Sequence, residues 1–149
     1  LGRIAQIDSP QAFIKKESLG PDALENDMDF DCFAGLLQKS RASVKSFLMN
    51  QRHIAGIGNI YSDEILFQAD IHPGVKIKQL SQERTKNLYK AMIKVLETSI
   101  EARADPDRLP AGYIIPHRQE DEKCPKCGTG IKKSTIAGRT SYFCPQCQQ

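Results

Sequence analysis

Four cysteines near the C-terminal end are the residues whose types and spacing most directly predict chemistry. Cys124 with Cys127, and Cys144 with Cys147, form the pattern C-x2-C-x16-C-x2-C. Two such knuckles present four thiolates to one tetrahedral Zn²⁺. Because protein would then fill all four positions, the ion is expected to be structural, with no position left for a catalytic water.

Two disulfides are the alternative for the same four cysteines. Cys32 is a fifth cysteine and would remain unpaired, and no signal peptide is recognisable, so the composition disfavours a disulfide framework. Cys32 has no base nearby in the sequence and is predicted to be a small core or boundary residue. Between the knuckles, residues 131–136 and 140–143 predict two strands, joined by a hairpin turn at Ala137-Gly138-Arg139.

A stretch in the middle of the chain predicts a helix, a glycine turn and a second helix. Apolar residues at helical spacing in positions 44–50 are followed by the loop Ala55-Gly56-Ile57-Gly58. Asn59 is expected to act as N-cap of an amphipathic second helix. The free N–H groups at its start would suit a phosphate. The alternative is that the glycines only let two helices pack across a tight turn.

Other helices are indicated by their start signals. Ser9-Pro10 favours a short helix, the acidic run before Phe30 favours another, and Ser81 is expected to cap a long helix to about residue 104. Residues 105–122 contain three prolines and are interpreted as a linker or a mobile functional loop.

Composition and charge limit the classes of protein. The 149 residues are 40% hydrophobic and 26% charged, and no apolar run is long enough to span a membrane. The formal net charge of +3 hides two basic segments, at residues 39–53 and 123–149, that contain no acid. Such segments indicate a local surface for a polyanion, although a solvated basic face is the alternative.

Two of these motifs together resemble a known family. Residues 51–64, QRHIAGIGNIYSDE, with Ile71-His72-Pro73, resemble the helix-two-turn-helix of the formamidopyrimidine-DNA glycosylase and endonuclease VIII family. Residues 138–145, GRTSYFCP, resemble the family's zinc finger. The resemblance covers residues 39–149 well and residues 1–38 loosely. It implies a mainly α fold: a helix-two-turn-helix domain followed by a small four-cysteine zinc-finger β-hairpin with one structural Zn²⁺.

The resemblance also implies an activity and a set of site residues. Family members excise oxidised bases from double-stranded DNA and cut the abasic strand by β,δ-elimination. Asn59 matches the asparagine that grips phosphates beside the lesion, and Arg139 matches an arginine that clamps the same backbone and is assigned as proton donor for δ-elimination. By the same resemblance, further residues expected to contact DNA are Gly58, Lys45, Lys39 and Arg41, and the metal ligands are Cys124, Cys127, Cys144 and Cys147.

The chain departs from the family pattern at its start. The family nucleophile is an N-terminal proline amine followed by a glutamate, whereas this chain begins Leu1-Gly2, and the lysine of the family's N-terminal β-sandwich has no counterpart. We therefore expect a C-terminal half whose N-terminal catalytic domain is missing, and no glycosidic cleavage by this chain alone. The run from Tyr113 to Arg118 also replaces the family's tyrosine-glycine-arginine run.

The predicted organisation has four parts. Residues 1–20 are a linker or the end of a missing domain, 21–104 the helix-two-turn-helix domain, 105–122 a linker or loop, and 123–149 the zinc finger. The resemblance implies a monomer that acts in the cytoplasm on the bacterial nucleoid, without a membrane. The alternatives are a stand-alone, non-catalytic nucleic-acid-binding zinc-ribbon adaptor, and a protein-interaction module that binds no nucleic acid.

Overall fold

A computed structural model of the protein describes residues 6–149. The prediction that residues 1–20 are a linker or the end of a missing domain falls partly on residues 1–5, outside the described residues. No helix among the described residues is both long and apolar enough to cross a membrane. The elements are, in chain order, α1 (Pro10–Glu17), α2 (Phe30–Gln38), α3 (Val44–Leu48), α4 (Asn59–Gln68), α5 (Gln82–Glu101), β1 (Lys132–Ile136) and β2 (Arg139–Phe143), with 3-10 turns at Ile77–Gln79, Pro106–Arg108 and Ile115–His117.

Side-chain caps begin four of the helices, as polar residues at these positions should. The oxygens of Ser9, Asp29, Ser43 and Ser81 each accept a backbone N–H from the first turn of α1, α2, α3 and α5 respectively. The predicted starts at Ser9, at the acidic run and at Ser81 are confirmed. The long helix α5 ends at Glu101, three residues before the predicted end.

The start of α4 differs from the sequence prediction. Asn59 is the first helical residue, and Gly58 occupies the N-cap position without a side-chain hydrogen bond. The prediction that Asn59 caps the helix is therefore wrong by one position. Residues 62–67 are all buried, so α4 is also not the amphipathic helix that was expected. A helix buried nearly all round is a central core element.

The main core lies where α2, α3, α4 and α5 meet. Phe33 of α2 and Phe47 of α3 pack edge to face with their ring centroids 6.1 Å apart, and Leu88 and Met92 of α5 are fully buried beside them. Packing of this kind is the main source of helix stability in a folded protein.

The C-terminal hairpin matches its prediction closely. Strands β1 and β2 pair antiparallel, with Lys132 opposite Phe143 and Ile136 opposite Arg139. The two turn residues, Ala137 and Gly138, have φ angles of 50° and 73°. Positive φ at both central positions is the signature of a type I′ turn, which suits the twist of a two-residue hairpin. Arg139 consequently opens β2 instead of lying in the turn.

A second apolar cluster joins the hairpin region to α4. It contains Phe67 of α4, Ile114, Ile131 and Cys144, all buried. Because Tyr113 and Ile114 are buried, the segment 105–122 does not run free of the body between the two predicted domains.

Two glycines, Gly20 and Gly35, provide a matched test of how closely the chain is packed around each of them. A Cβ at Gly20 would lie 2.6 Å from the carbonyl oxygen of His53, whereas a Cβ at Gly35, inside α2, would meet nothing within 4 Å. We expect Gly20→Ala to lower the free energy of unfolding by about 1–3 kcal/mol through overpacking. Gly35→Ala should raise it by about 1 kcal/mol, because alanine favours the helix. Urea unfolding measures both; equal effects of the two substitutions would contradict the described packing of Gly20.

Candidate nucleic-acid interface and zinc site

The glycine turn before α4 is shaped by one glycine and one glutamine. Gly56 has a φ of +96°, a conformation that L side chains rarely adopt. The Gln51 side chain accepts the N–H of Gly56 at 2.9 Å and donates to the carbonyl of Ile57 at 2.7 Å. Gln51 was assigned no role of its own from the sequence; the available signal was a polar residue five positions before Gly56.

Helix α4, which follows this turn, begins without a side-chain cap. Within the described residues, the N–H groups of Asn59, Ile60 and Tyr61 have no hydrogen-bond partner, and the first bond of the helix runs from the Ser62 N–H to the Gly58 carbonyl at 2.9 Å. A Cβ at Gly58 would meet nothing within 4 Å, so the space in front of the helix is open. The partial positive charge of a helix N-terminus is therefore directed at an accessible surface.

Asn59 and Arg139 line one groove although 80 positions separate them in the sequence. The Asn59 amide donates to the carbonyl of Thr140 at 3.0 Å, which joins the start of α4 to the hairpin. Arg139 is exposed and has no acidic partner among residues 6–149. We call this cavity of about 580 Å³ the Asn59 groove; it is also lined by Ser46, Asn50 and Gly58.

Directly behind this groove lies a buried carboxylate, that of Asp63. It accepts hydrogen bonds from the Lys45 ammonium, from the Ser141 hydroxyl at 2.7 Å, from Arg118 Nη2 at 2.8 Å and from the Tyr142 N–H at 3.2 Å. Asp63 and Lys45 have no exposed side-chain surface. One carboxylate thus links α3, α4, the segment before the finger and β2, and it is paired with two cations.

This arrangement corrects the prediction that Lys45 contacts DNA. The side chain is fully buried and its ammonium is ion-paired with Asp63. Burial lowers the pKa of Lys45 from its usual value, although Asp63 opposes that shift. A lysine in this position contributes to the core and cannot reach a phosphate without leaving it. The exposed residues Lys39 and Arg41 stay predicted DNA contacts.

Glu64 fixes the segment 105–122 from the neighbouring position. Its carboxylate accepts the Gln68 amide at 2.7 Å and the Ile115 N–H at 2.8 Å, and it is fully buried. Burial raises the pKa of Glu64 above its ordinary value. Together with the ion pair from Arg118 to Asp63, this bond ties residues 115–118 to α4.

The four C-terminal cysteines converge on one point. Their ligand atoms all lie within 4.8 Å of one another, with Sγ–Sγ distances of 3.9 Å for Cys124 and Cys147 and 3.5 Å for Cys127 and Cys144. Four sulfurs at about 2.3 Å from one Zn²⁺ in a tetrahedron are about 3.8 Å apart. A disulfide needs about 2.05 Å, so the disulfide alternative does not fit; all five cysteines are free.

The surroundings of the cysteines also suit a metal. Hydrogen bonding to the Thr129 side chain lowers the pKa of Cys127 to about 6, whereas burial raises the pKa of Cys124 and of Cys147. A bound metal cation would offset that rise, because it stabilises the thiolate form. Lys126, between the first pair, donates to the carbonyl of Phe67 at 3.0 Å and so satisfies the C-terminal end of α4. Gln148 accepts from the Cys144 N–H and donates to the carbonyl of Ile71, each at 2.9 Å. The cluster supports one structural zinc ion.

Comparison with protein families matches both parts of this structure. Residues 19–108 match the model of the formamidopyrimidine-DNA glycosylase H2TH domain, and residues 121–149 match that of the zinc finger found in FPG and IleRS. The first match covers more than half of the chain and contains the glycine turn and α4. The second contains all four clustered cysteines.

Curated relatives and solved structures agree with the family models. The formamidopyrimidine-DNA glycosylase of Thermus thermophilus is 36% identical over 142 residues, covering 87% of this chain and 53% of that protein. The enzyme of Lactococcus lactis is 34% identical over 155 residues, covering 98% of this chain and 57% of that protein.

Among solved structures, a complex of Lactococcus lactis Fpg with DNA containing an abasic site aligns with a TM-score of 0.80 and 32% identity, over 93% of this chain and 55% of that one. MutM in complex with DNA containing carbocyclic 8-oxo-G aligns with a TM-score of 0.79 and 33% identity, over 93% and 53%. The chain spans about half the length of the curated relatives it matches. It belongs to the formamidopyrimidine-DNA glycosylase family, of which it carries the H2TH domain and the zinc finger.

Proposed function

We propose that this chain is the DNA-binding C-terminal portion of a base-excision-repair DNA glycosylase and AP lyase that acts on oxidised bases. The observation that carries the proposal is the Asn59 groove, where an uncapped helix start, an asparagine amide and an unpaired arginine meet. The ligand is double-stranded DNA with an oxidised base or an abasic site. We place the protein in the cytoplasm, on the nucleoid, as a monomer.

The groove offers three kinds of donor to phosphate oxygens. The free N–H groups at the start of α4 and the helix dipole favour an anion. The Asn59 amide nitrogen has two N–H groups, of which the contact with Thr140 uses one. Arg139 adds a permanent positive charge and a planar fork that fits two phosphate oxygens. None of these donors reads a base edge, so the grip fixes position on the strand and leaves sequence unread.

The structural zinc would hold the Arg139 side of this groove. The hairpin that carries Arg139 contains only two short strands, which are marginal without other support. Cys124, Cys127, Cys144 and Cys147 would bind the ion as thiolates, and the metal would supply folding energy and no reaction step.

A complete glycosylase and lyase reaction would need residues beyond those of the Asn59 groove. Arg139 is assigned, by the family resemblance, as proton donor for δ-elimination. A guanidinium keeps its protons strongly, so we expect its larger contribution to be the stabilisation of negative charge on phosphate. Because the relatives are about twice as long as this chain, we propose that a further catalytic domain supplies the nucleophile.

Asn59 and Arg139 can be tested by alanine substitution. We expect Asn59→Ala and Arg139→Ala each to weaken binding to an abasic-site duplex about ten-fold or more, because each removes hydrogen bonds to a charged partner. Titration by fluorescence anisotropy at fixed salt measures the loss. Asn87→Ala and Lys94→Ala, on exposed positions of α5, remove an amide and a positive charge elsewhere; if they weaken binding equally, the groove is not the site.

Removal of zinc should disable the Arg139 side selectively. We expect Cys144→Ser to unfold the finger, to abolish stoichiometric zinc and to reduce DNA binding at least as much as Arg139→Ala, because a structural zinc site provides most of the folding energy of such a unit. Cys32→Ser is the matched control, with an expected cost of about 1 kcal/mol. Metal analysis with circular dichroism measures both. Retention of zinc and DNA affinity by Cys144→Ser would contradict this role.

Borohydride trapping tests where the nucleophile is. No lysine lines the Asn59 groove within the described residues, and Lys45 is fully buried. We therefore expect the chain to shift an abasic-site duplex on a native gel and to form no covalent adduct after reduction. An adduct would show that an amine of this chain performs the lyase step. The absence of any shift would contradict the proposed DNA-binding role itself.

A further inference from the structure

A second basic groove lies beside the first, and the family resemblance assigns most of it no role. It is lined by Ser40, Arg41, Lys76 and Lys78, and its volume is about 670 Å³. The three cations are exposed and have no acidic partner among residues 6–149. No acidic residue lines this groove, which we call the Arg41 groove. Three unpaired like charges side by side repel one another, and a bound anion would offset that repulsion.

Backbone hydrogen bonds bring the two halves of the Arg41 groove together. The Val44 N–H donates to the Val75 carbonyl at 2.9 Å, and the Ile77 N–H donates to the Ala42 carbonyl at 3.2 Å. These bonds flank an antiparallel bridge between Ser43 and Lys76. The side chain of Ile77 is buried in the main core. The positions of Lys76 and Lys78 relative to Arg41 are therefore fixed by the fold.

The start of α3 lies between the Arg41 groove and the Asn59 groove. Ser46 is the one residue of α3 with appreciable exposure, since Val44, Lys45, Phe47 and Leu48 are all buried. Ser46 lines the Asn59 groove, and its hydroxyl lies 2.7 Å from that of Ser43. The backbone of Ser43 is in turn bridged to Lys76, which lines the Arg41 groove. The two grooves therefore lie on either side of the start of α3, and one DNA strand, with a phosphate for about each 3.4 Å of the duplex axis, can supply phosphates to both.

We propose that the Arg41 groove is a second phosphate-binding site, which holds the DNA backbone beyond the phosphates held by Asn59 and Arg139. This inference rests on the proposed function and extends its footprint to Lys76 and Lys78. The lining favours a phosphate backbone over an acidic protein partner, because it carries three cations and lies next to the first groove, across Ser43 at the start of α3. Its lysines act as point charges and add affinity without sequence preference.

Salt dependence separates this site from general electrostatics. The double variant Lys76→Ala/Lys78→Ala should reduce the slope of log affinity against log salt by about 2, one for each lost phosphate contact. Its affinity for a long abasic-site duplex should fall about ten-fold at the lowest salt used. The matched control, Lys90→Ala/Lys94→Ala, removes the same charge from exposed positions of α5 and should change the slope by less than half as much.

Duplex length gives a second readout. Two shortened duplexes are used, one that ends within one nucleotide of the lesion on one side and one that ends there on the other side. One of the two therefore lacks the backbone that the Arg41 groove would hold. The double variant and the unchanged chain should bind that shortened duplex equally. Lys76→Arg/Lys78→Arg keeps the charge and should retain the salt slope, which excludes a loss caused by misfolding.

These measurements also distinguish the proposed DNA-binding function from the proposed second phosphate-binding site. If the unchanged chain binds and Asn59→Ala weakens it, but the lysine double variant behaves like its control, the Arg41 groove does not bind DNA and the proposed function stands. The same result together with binding of an acidic peptide would assign the groove to a protein partner and overturn the inference. If the unchanged chain binds no damaged duplex, both proposals fail.

Discussion

The rest of the structure depends on the buried carboxylate of Asp63. A charge in a protein interior is costly unless it is paired and its remaining hydrogen-bonding capacity is used. Asp63 meets both conditions with donors from three distant segments: Lys45, Arg118 and the Ser141 strand. These donors lie 18, 55 and 78 positions from it in the sequence. Loss of any one of them would leave part of the hydrogen-bonding capacity of a buried carboxylate unused, which makes this the constraint that joins the helical part to the finger.

The same constraint positions the groove. Asn59 and Asp63 are four residues apart on α4, and Arg139 and Ser141 are two residues apart on β2. Residues at these spacings share a face of a helix and a face of a strand respectively. The bond from Ser141 to Asp63 therefore lies one step inward from the residues that line the groove, and the Asn59–Thr140 contact lies between them. Because buried hydrogen bonds to Asp63 already fix the groove residues in place, the groove loses little conformational freedom when a ligand binds.

Local signals in the sequence were sufficient for most of the elements and insufficient for the polar core. Ser9, Asp29 and Ser81 begin helices because their short side chains cap adjacent N–H groups, an interaction that the sequence itself contains. The cysteine spacing and the glycine of the hairpin are equally local. Lys45 was misassigned because its partner, Asp63, is on another helix, and a basic segment usually lies on the surface. The available clue was its position three residues before Leu48, on a short helix whose other residues, apart from Ser46, are apolar.

The adjacent carboxylates of α4 also determine what the segment 105–122 can do. Glu64 holds the Ile115 N–H and Asp63 holds the Arg118 guanidinium, which also lies 5.1 Å from the centre of the Tyr142 ring. Residues 115–118 are therefore fixed at two points on a buried helix, three positions apart. Such anchoring opposes motion of this part of the segment as a lid, since opening would remove the Ile115 hydrogen bond from the buried Glu64 and one of two cations from Asp63. Any adjustment to a ligand is then expected before Tyr113 or after Arg118, where the chain is exposed.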